Sequence, residues 1–222
     1  MSPVRCLLFA LLPLFSGCQL FATKAEPEVP GQRLQGELGT SKGKLLFRPC
    51  QDQRTFSFSS DGNPDLMREI SGLLADSGGP VFADLSGQLR AGAVADTDGQ
   101  LKLTQLYRIQ HEGHGCDDPD FKRLILRASG NEPDWSVNVT GKGLALMRPG
   151  QPPLALPYLE ETLPDGSFNL SSEANGQRFE LWVAPQRCTD TMSGAIQHLS
   201  AELRLDGVIH RGCASLGGAR NR

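Results

Sequence analysis

The sequence lacks three features that would indicate a function directly. Its 22 Lys and Arg are outnumbered by 25 Asp and Glu, which argues against nucleic-acid binding because basic patches mediate that binding. It contains no glycine-rich phosphate loop. Its N-terminal apolar run is shorter than the roughly 20 residues that a membrane-spanning helix needs. We therefore predict a protein that is not an enzyme, binds no nucleic acid and uses no cofactor.

The first residues predict export and lipidation. Residues 1–17 combine one positive charge, a short apolar run and the small pair Ser16-Gly17, which is the pattern of a secretory signal peptide. Cys18 follows directly, so the junction resembles the lipobox of bacterial lipoproteins, with Phe15 where Leu is commonest. The resemblance implies that cleavage leaves Cys18 as the first residue, carrying acyl lipid such as palmitate.

Such a lipid would make the membrane a partner of the protein, on the periplasmic side of the bacterial envelope. Gln19 stands where some lipoproteins carry the Asp that retains them in the inner membrane, so the outer membrane is favoured. Residues 18–32 predict a flexible tether, because Pro27 and Pro30 would break a strand.

The cysteines predict two disulfides. One of the six leaves with the signal peptide and one takes the lipid. The four that remain, an even number in an oxidising compartment, are Cys50, Cys116, Cys188 and Cys213. Four cysteines allow three pairings, and their spacing does not choose between them. A domain boundary near residue 120 favours a Cys50–Cys116 bridge in the first domain and a Cys188–Cys213 bridge in the second.

Composition and patterning predict a mainly β fold with two small β-rich, barrel-like domains. The 25 Gly and 15 Pro favour short strands with tight connections. We expect an OB-like β domain over residues 33–119, a β-barrel over residues 120–216 and a tail over residues 217–222.

One short helix is expected in the first domain. Asn63 can cap this helix, and Pro64 fits its first position. The Gly78-Gly79-Pro80 run should end it. The apolar residues that share one face of the helix are Leu66, Ile70, Leu73 and Leu74.

Two stretches of the second domain resemble a known family. Residues 130–135 resemble the Gly-Asn-Glu-Pro-Phe-Trp signature of a family of bacterial envelope lipoproteins, with Asp134 in place of Phe. Residues 188–194, with Cys213 near the end of the chain, resemble the second signature of that family, although Gln197 replaces its usual Tyr. The resemblance covers about residues 121–216. It implies a small β-barrel with a Cys188–Cys213 bridge, similar to META-domain lipoproteins, and brings no established activity with it.

The second signature predicts a tight loop. Its polar side chains can hydrogen-bond locally and its glycine allows a sharp turn. These residues are Asp190, Thr191, Met192, Ser193 and Gly194. The loop either serves the architecture of the barrel or presents Ser193 to a partner, as the Ser-Gly loop of lysozyme-inhibitor lipoproteins does. We expect Ser193 to be exposed and Trp135, at the other signature, to be buried.

The sequence contains a second candidate functional site, which would bind a metal ion. Residues 111–118 contain two His, one Cys and three acidic residues, donors that suit zinc or copper. His111 and His114 are weak candidate ligands, because their spacing is one residue short of His-Glu-x-x-His and a bridged Cys116 could not bind metal.

The sequence therefore predicts a non-enzymatic envelope lipoprotein that binds, inhibits or senses an unknown envelope protein or ligand. A metal-binding or metal-sensing lipoprotein and a lysozyme-inhibitor-like protein are the alternatives. A hydrolase with a spatially assembled site is a further class, because catalytic triads need not be sequential.

Overall fold

The computed structural model describes residues 31–59, 64–91, 96–174 and 176–220. The predicted signal peptide, Cys18 and most of the predicted tether lie outside these residues. The described chain is mainly β, with two β-rich domains and a helix in the first. This confirms the predicted fold class.

The first domain is a closed five-stranded barrel. Its strands are β1 (Gln32–Ser41), β2 (Lys44–Pro49), β3 (Phe56–Ser59), β4 (Val81–Ala91) and β5 (Gly99–Gln110). They pair in the order β1-β2-β3-β5-β4, and β4 also pairs with β1, which closes the ring. All of these pairings are antiparallel except that of β3 with β5.

Helix α1 (Pro64–Ser77) connects β3 to β4 and packs on the core of the barrel. It begins at Pro64 and ends before Gly78, as the sequence predicts. Asn63, the predicted cap, lies outside the described residues. The four apolar residues predicted to share a face, Leu66, Ile70, Leu73 and Leu74, are all buried.

The second domain is a curled, nine-stranded half-barrel. Its strands are β6 (Leu124–Asn131), β7 (Asp134–Thr140), β8 (Gly143–Met147), β9 (Leu154–Leu156), β10 (Leu159–Thr162), β11 (Phe168–Ser172), β12 (Phe179–Ala184), β15 (Leu199–Leu205) and β16 (Val208–Leu216). They pair in the order β10-β11-β12-β15-β16-β6-β7-β8-β9. Only Pro157 and Tyr158 separate β9 from β10, so the two ends of the sheet come within about 11 Å of each other there.

A short hairpin joins the two sheets. Strands β13 (Cys188–Thr189) and β14 (Ile196–Gln197) belong to the second half of the chain, yet β14 pairs with β5 of the first barrel. The predicted boundary near residue 120 falls between β5 and β6. The two apolar cores lie on either side of that boundary. The first sheet, by contrast, contains strands from both sides of the boundary.

A buried ion pair ties the domains together at a second place. The Arg33 guanidinium on β1 donates to both carboxylate oxygens of Asp84, at 2.8 and 2.7 Å. The same guanidinium donates to the carbonyl oxygens of Leu216 and Gly217, at 2.7 and 2.9 Å. Asp84 is 1% exposed, so this clamp is shielded from water and salt.

The predicted C-terminal tail packs against the second domain as far as Arg220. The backbone N–H groups of Gly217 and Gly218 donate to carbonyl oxygens of Ile125 and Phe121. The Arg220 guanidinium pairs with Glu160 at 2.7 Å. These bonds hold the segment beside the start of β6.

Both predicted disulfides are present. Cys50 bridges to Cys116 and Cys188 bridges to Cys213, each with Cα atoms 5.4 Å apart, within the range of an ordinary bridge. Among the described residues, no helix is long and apolar enough to cross a membrane.

Candidate functional site

The two signature stretches meet in space, 59 residues apart in the chain. Asn131, at the end of β6, donates from Nδ2 to Oδ2 of Asp190 at 2.8 Å. The bridge between Cys188 and Cys213 holds the start of the same loop to β16. Three elements therefore form the site together: the β6–β7 turn, the β13–β14 hairpin and strand β16.

Trp135 packs beneath this junction. It is 4% exposed, as predicted from the sequence. Cβ atoms added to Gly130 and Gly212 would lie 2.5 and 2.9 Å from its indole ring. These two glycines therefore leave the space that the ring fills, and any larger residue would push it out.

Asp190 organises the loop that residues 190–194 form, which we call the recognition loop. Its Oδ1 accepts hydrogen bonds from the backbone N–H groups of Met192 and Ser193, at 3.0 and 2.7 Å. Burial raises the pKa of Asp190, but the hydrogen bonds from Ser193 and Asn131 outweigh it, so the pKa lies below its ordinary value. Gly194 has φ +69° and donates its N–H to the Asp190 carbonyl, which closes the turn.

The exposed tip of the loop is Met192, and the prediction that Ser193 is exposed is wrong. The Ser193 hydroxyl donates to Asp190 at 2.9 Å and accepts from the Ala195 N–H at 3.3 Å. Ser193 is half-buried because its hydroxyl is part of the hydrogen-bond network inside the turn. Met192 is 75% exposed.

The segment with the weak candidate metal ligands contacts the recognition loop. The Nε2 atom of His111 lies 2.8 Å from the Ser193 carbonyl oxygen, and the Gln110 side chain donates to the His114 carbonyl. Cys116 is bridged and cannot bind a metal as a thiolate. Among the described residues, no three His, Cys, Asp or Glu side chains come together as metal ligands.

Two clefts flank the recognition loop. The Trp182 cleft, of about 790 Å³, lies over the outer face of β12, β15 and β16 and is lined by Trp182, Glu202 and Arg211. The Met192 cleft, of about 770 Å³, lies on the other side, with Met192 and Trp135 in its lining. Both volumes fall in the range of ligand-binding pockets.

Two basic side chains, Arg108 and His198, lie where β14 pairs with β5. Burial lowers the pKa of Arg108 on β5 to about 10, and β14 pairs directly with this strand. Burial also lowers the pKa of His198, although a hydrogen bond between its Nδ1 and the Tyr107 carbonyl partly offsets this. The hairpin that carries the loop thus adjoins basic side chains from both domains, Arg108 and His198.

Comparisons with protein-family models, with curated proteins and with solved structures find no match to this chain. The fold and the site define a class of architecture: a two-domain, disulfide-bridged β protein with a rigid loop at the domain junction.

Proposed function

We propose that this protein is a non-enzymatic recognition module of the bacterial envelope, which binds a partner protein through the recognition loop. The observation that carries the proposal is the contrast within that loop. The Met192 side chain is 75% exposed, while the backbone N–H groups of Met192 and Ser193 donate to Asp190 and the Cys188–Cys213 bridge holds the start of the loop.

A loop held in this way suits binding. Because its backbone is already ordered, little conformational entropy is lost when a partner closes over it. A flexible, polarisable Met side chain at the tip can fill an irregular apolar pocket in the partner. The clefts on both sides leave the tip projecting, so it can enter a concave surface.

A projecting loop between two clefts also supports the inhibitor-like form of this proposal. A tip of this kind could occupy the active-site groove of an envelope enzyme such as a lysozyme. The resemblance of the two signature stretches to envelope lipoproteins points to the same compartment. In this form of the proposal, partner binding and inhibition depend on Met192.

We further propose that the protein is attached to the membrane by lipid on Cys18, facing the periplasm, with the outer membrane favoured. The lipobox-like junction and Gln19 support this attachment, and two disulfides agree with an oxidising compartment. The metal-binding alternative is not proposed, since its thiol is bridged.

Photo-crosslinking in intact cells tests the proposal. A photoreactive amino acid is placed at position 192 of the full-length chain and, as a matched control, at position 159, where Leu159 is 78% exposed in the second domain. We expect a discrete crosslinked protein from position 192 and none from position 159. No adduct, or the same adducts from both positions, would exclude the loop as the binding surface.

A further inference from the structure

We propose that the Trp182 cleft is a carbohydrate-binding site, distinct from the surface around Met192. Its floor is a row of side chains that cross three strands of the half-barrel. Trp182 pairs with Glu202, and Glu202 pairs with Arg211. Residues directly opposite in antiparallel strands share a face, so these side chains stand side by side on the outer surface.

Trp182 is the large aromatic surface of the floor and is held in one orientation. Its Nε1–H donates to Glu180 at 3.2 Å, and the Arg204 guanidinium carbon lies 5.5 Å from its ring centroid. The ring is half-buried, so part of it faces the cleft. An aromatic ring that is already ordered can stack on the C–H face of a pyranose without first losing side-chain freedom.

The polar lining suits a ligand rich in hydroxyl groups. Hydroxyl side chains of Ser167, Thr189, Thr191 and Ser200 line the cleft together with the charged floor residues. Hydroxyls both donate and accept, as the hydroxyls of a sugar do. A ligand with a large apolar body would leave these groups without partners, which is costly.

The balance of charge favours a neutral ligand. Three arginines and three acidic residues line the cleft: Arg187, Arg204, Arg211, Glu132, Asp190 and Glu202. Glu202 pairs with Arg204 at 2.7 Å and lies 3.9 Å from Arg211. A strongly charged ligand of either sign would meet like charge here, whereas an uncharged sugar can bond to both members of each pair. Arg211, whose side chain is 85% exposed, has donors that remain free to bind hydroxyls.

The wall of the cleft is rigid as well. Residues 186–191 fold over the strands, and the Cys188–Cys213 bridge attaches them to β16. The opposite wall is the β6–β7 turn, which Asn131 holds to Asp190. A cleft of about 790 Å³ with fixed walls is large enough for a short oligosaccharide.

Titration of the full-length protein with tri-N-acetylchitotriose tests the proposal. This probe is uncharged, and its β-1,4-linked rings have flat C–H faces. The chain has two tryptophans; Trp182 lines the cleft, so we expect its emission to change on binding. We expect saturable binding by calorimetry and by fluorescence, with a Kd of about 1 mM or lower. Absence of saturable binding by both methods would overturn the proposal.

Variants locate the binding. Trp182→Ala should weaken calorimetric binding at least about tenfold, and Trp182→Phe should keep it within about threefold, because stacking needs only an aromatic ring. Arg211→Ala should also weaken binding, and this exposed side chain can be removed without disturbing the fold. If Trp182→Ala does not fold, the effect of Arg211→Ala on calorimetric sugar binding decides whether the sugar binds in this cleft.

Two controls complete the test. Ile209→Ala changes a 51% exposed residue of β16 outside the cleft, and Met192→Ala changes the loop tip; both should bind the sugar as the wild type does. Sugar binding unaffected by both cleft variants would place the ligand elsewhere and refute the assignment. Because Met192→Ala removes partner binding only, failure of the sugar site and failure of the proposed function can be told apart.

Discussion

The two domains complete their sheets in different ways. In the first domain β4 pairs with both β1 and β5, so the barrel closes on itself. In the second domain β9 and β10 remain at the two ends of the sheet, and every residue of β10 is exposed. The first barrel nevertheless accepts a further strand, β14, which carries the recognition loop.

The two domains also contribute differently to the candidate site. The second domain supplies the signature residues and both cleft floors, while the first supplies the support beneath them, through β5, His111 and the Arg33–Asp84 clamp. The rigidity of the recognition loop therefore depends on the contacts between the two domains. Changes that act on one domain alone should differ from changes that loosen both.

The largest effect is expected from Trp135→Ala, which acts within the second domain. Truncation of this buried ring should lower the free energy of unfolding by about 3–5 kcal/mol, since it leaves a large cavity. Denaturant unfolding followed by circular dichroism measures the loss. Leu159→Ala, at an exposed site of the same domain, is the control and should change stability by less than about 0.5 kcal/mol. Equal effects of the two variants would contradict the packing role of Trp135.

The second-largest loss of stability is expected from Arg33→Ala, which should affect both domains. Removal of the guanidinium leaves the Asp84 carboxylate buried without its partner, which costs about 3 kcal/mol. It should also increase hydrogen exchange at the recognition loop, because the junction loosens. Lys42→Ala is the matched control: its pair with Asp96 is 78% and 72% exposed and should contribute less than about 1 kcal/mol. Unchanged exchange at residues 190–194 would show that the clamp does not support the loop.

Asp190→Asn tests the hydrogen-bond network of the loop itself. Loss of the charge should weaken the bonds from the Met192 and Ser193 N–H groups, costing about 1–2 kcal/mol locally. The folded-state pKa of Asp190 is depressed, so its contribution is present above the unfolded pKa of about 3.9. It is lost as the pH falls through the folded-state value.

Amide exchange of Met192 and Ser193 measured against pH follows this loss. Protection in the wild type should fall on acidification below about pH 4, and the Asn variant should show no such step. A step of equal size in both proteins would assign the pH dependence to another group.

Met192→Ala should hardly change stability, by less than about 0.5 kcal/mol, because the side chain is exposed. It should nevertheless abolish partner capture and any lysozyme inhibition. Thr191→Ala, next to it on the exposed part of the loop, is the control for a general effect of loop mutation. Full partner binding by Met192→Ala would leave the loop with an architectural role only.

Cys18→Ser should leave the stability of both domains unchanged and remove the protein from membranes. A multiply acylated cysteine anchors a protein stably, whereas one chain binds only marginally. Metabolic labelling with a fatty-acid analogue, followed by membrane fractionation, measures the effect. Equal labelling of wild type and variant would contradict lipidation at this residue.

Much of the local structure could be predicted from the sequence. Alternating apolar residues predict the strands around Trp135, and the spacing from Leu66 to Leu74 predicts the buried face of the helix. The even number of cysteines and the division of the chain predict the correct disulfides. These features depend on residues close in the chain or on simple counting, so periodicity and composition are enough to find them.

The loop shows where such reasoning stops. The turn at Gly194 follows from local chemistry, but which side chain projects does not. Ser193 points inward because Asp190 accepts its hydroxyl, and Asp190 is held in turn by Asn131, 59 residues away. Sequence spacing therefore led to the wrong residue at the tip, and only the network of contacts identifies Met192.

The sequence by itself determined the β class of this protein, its helix, its disulfides and the two stretches that form the site. Only the tertiary structure decided that β14 pairs with β5, that Arg33 clamps Asp84, and that Trp182, Glu202 and Arg211 stand in one row. The physical reason is that side-chain periodicity reports which face of a strand is buried. Strand pairing and register depend instead on which distant segments exclude water together, and that is a property of the whole packed chain.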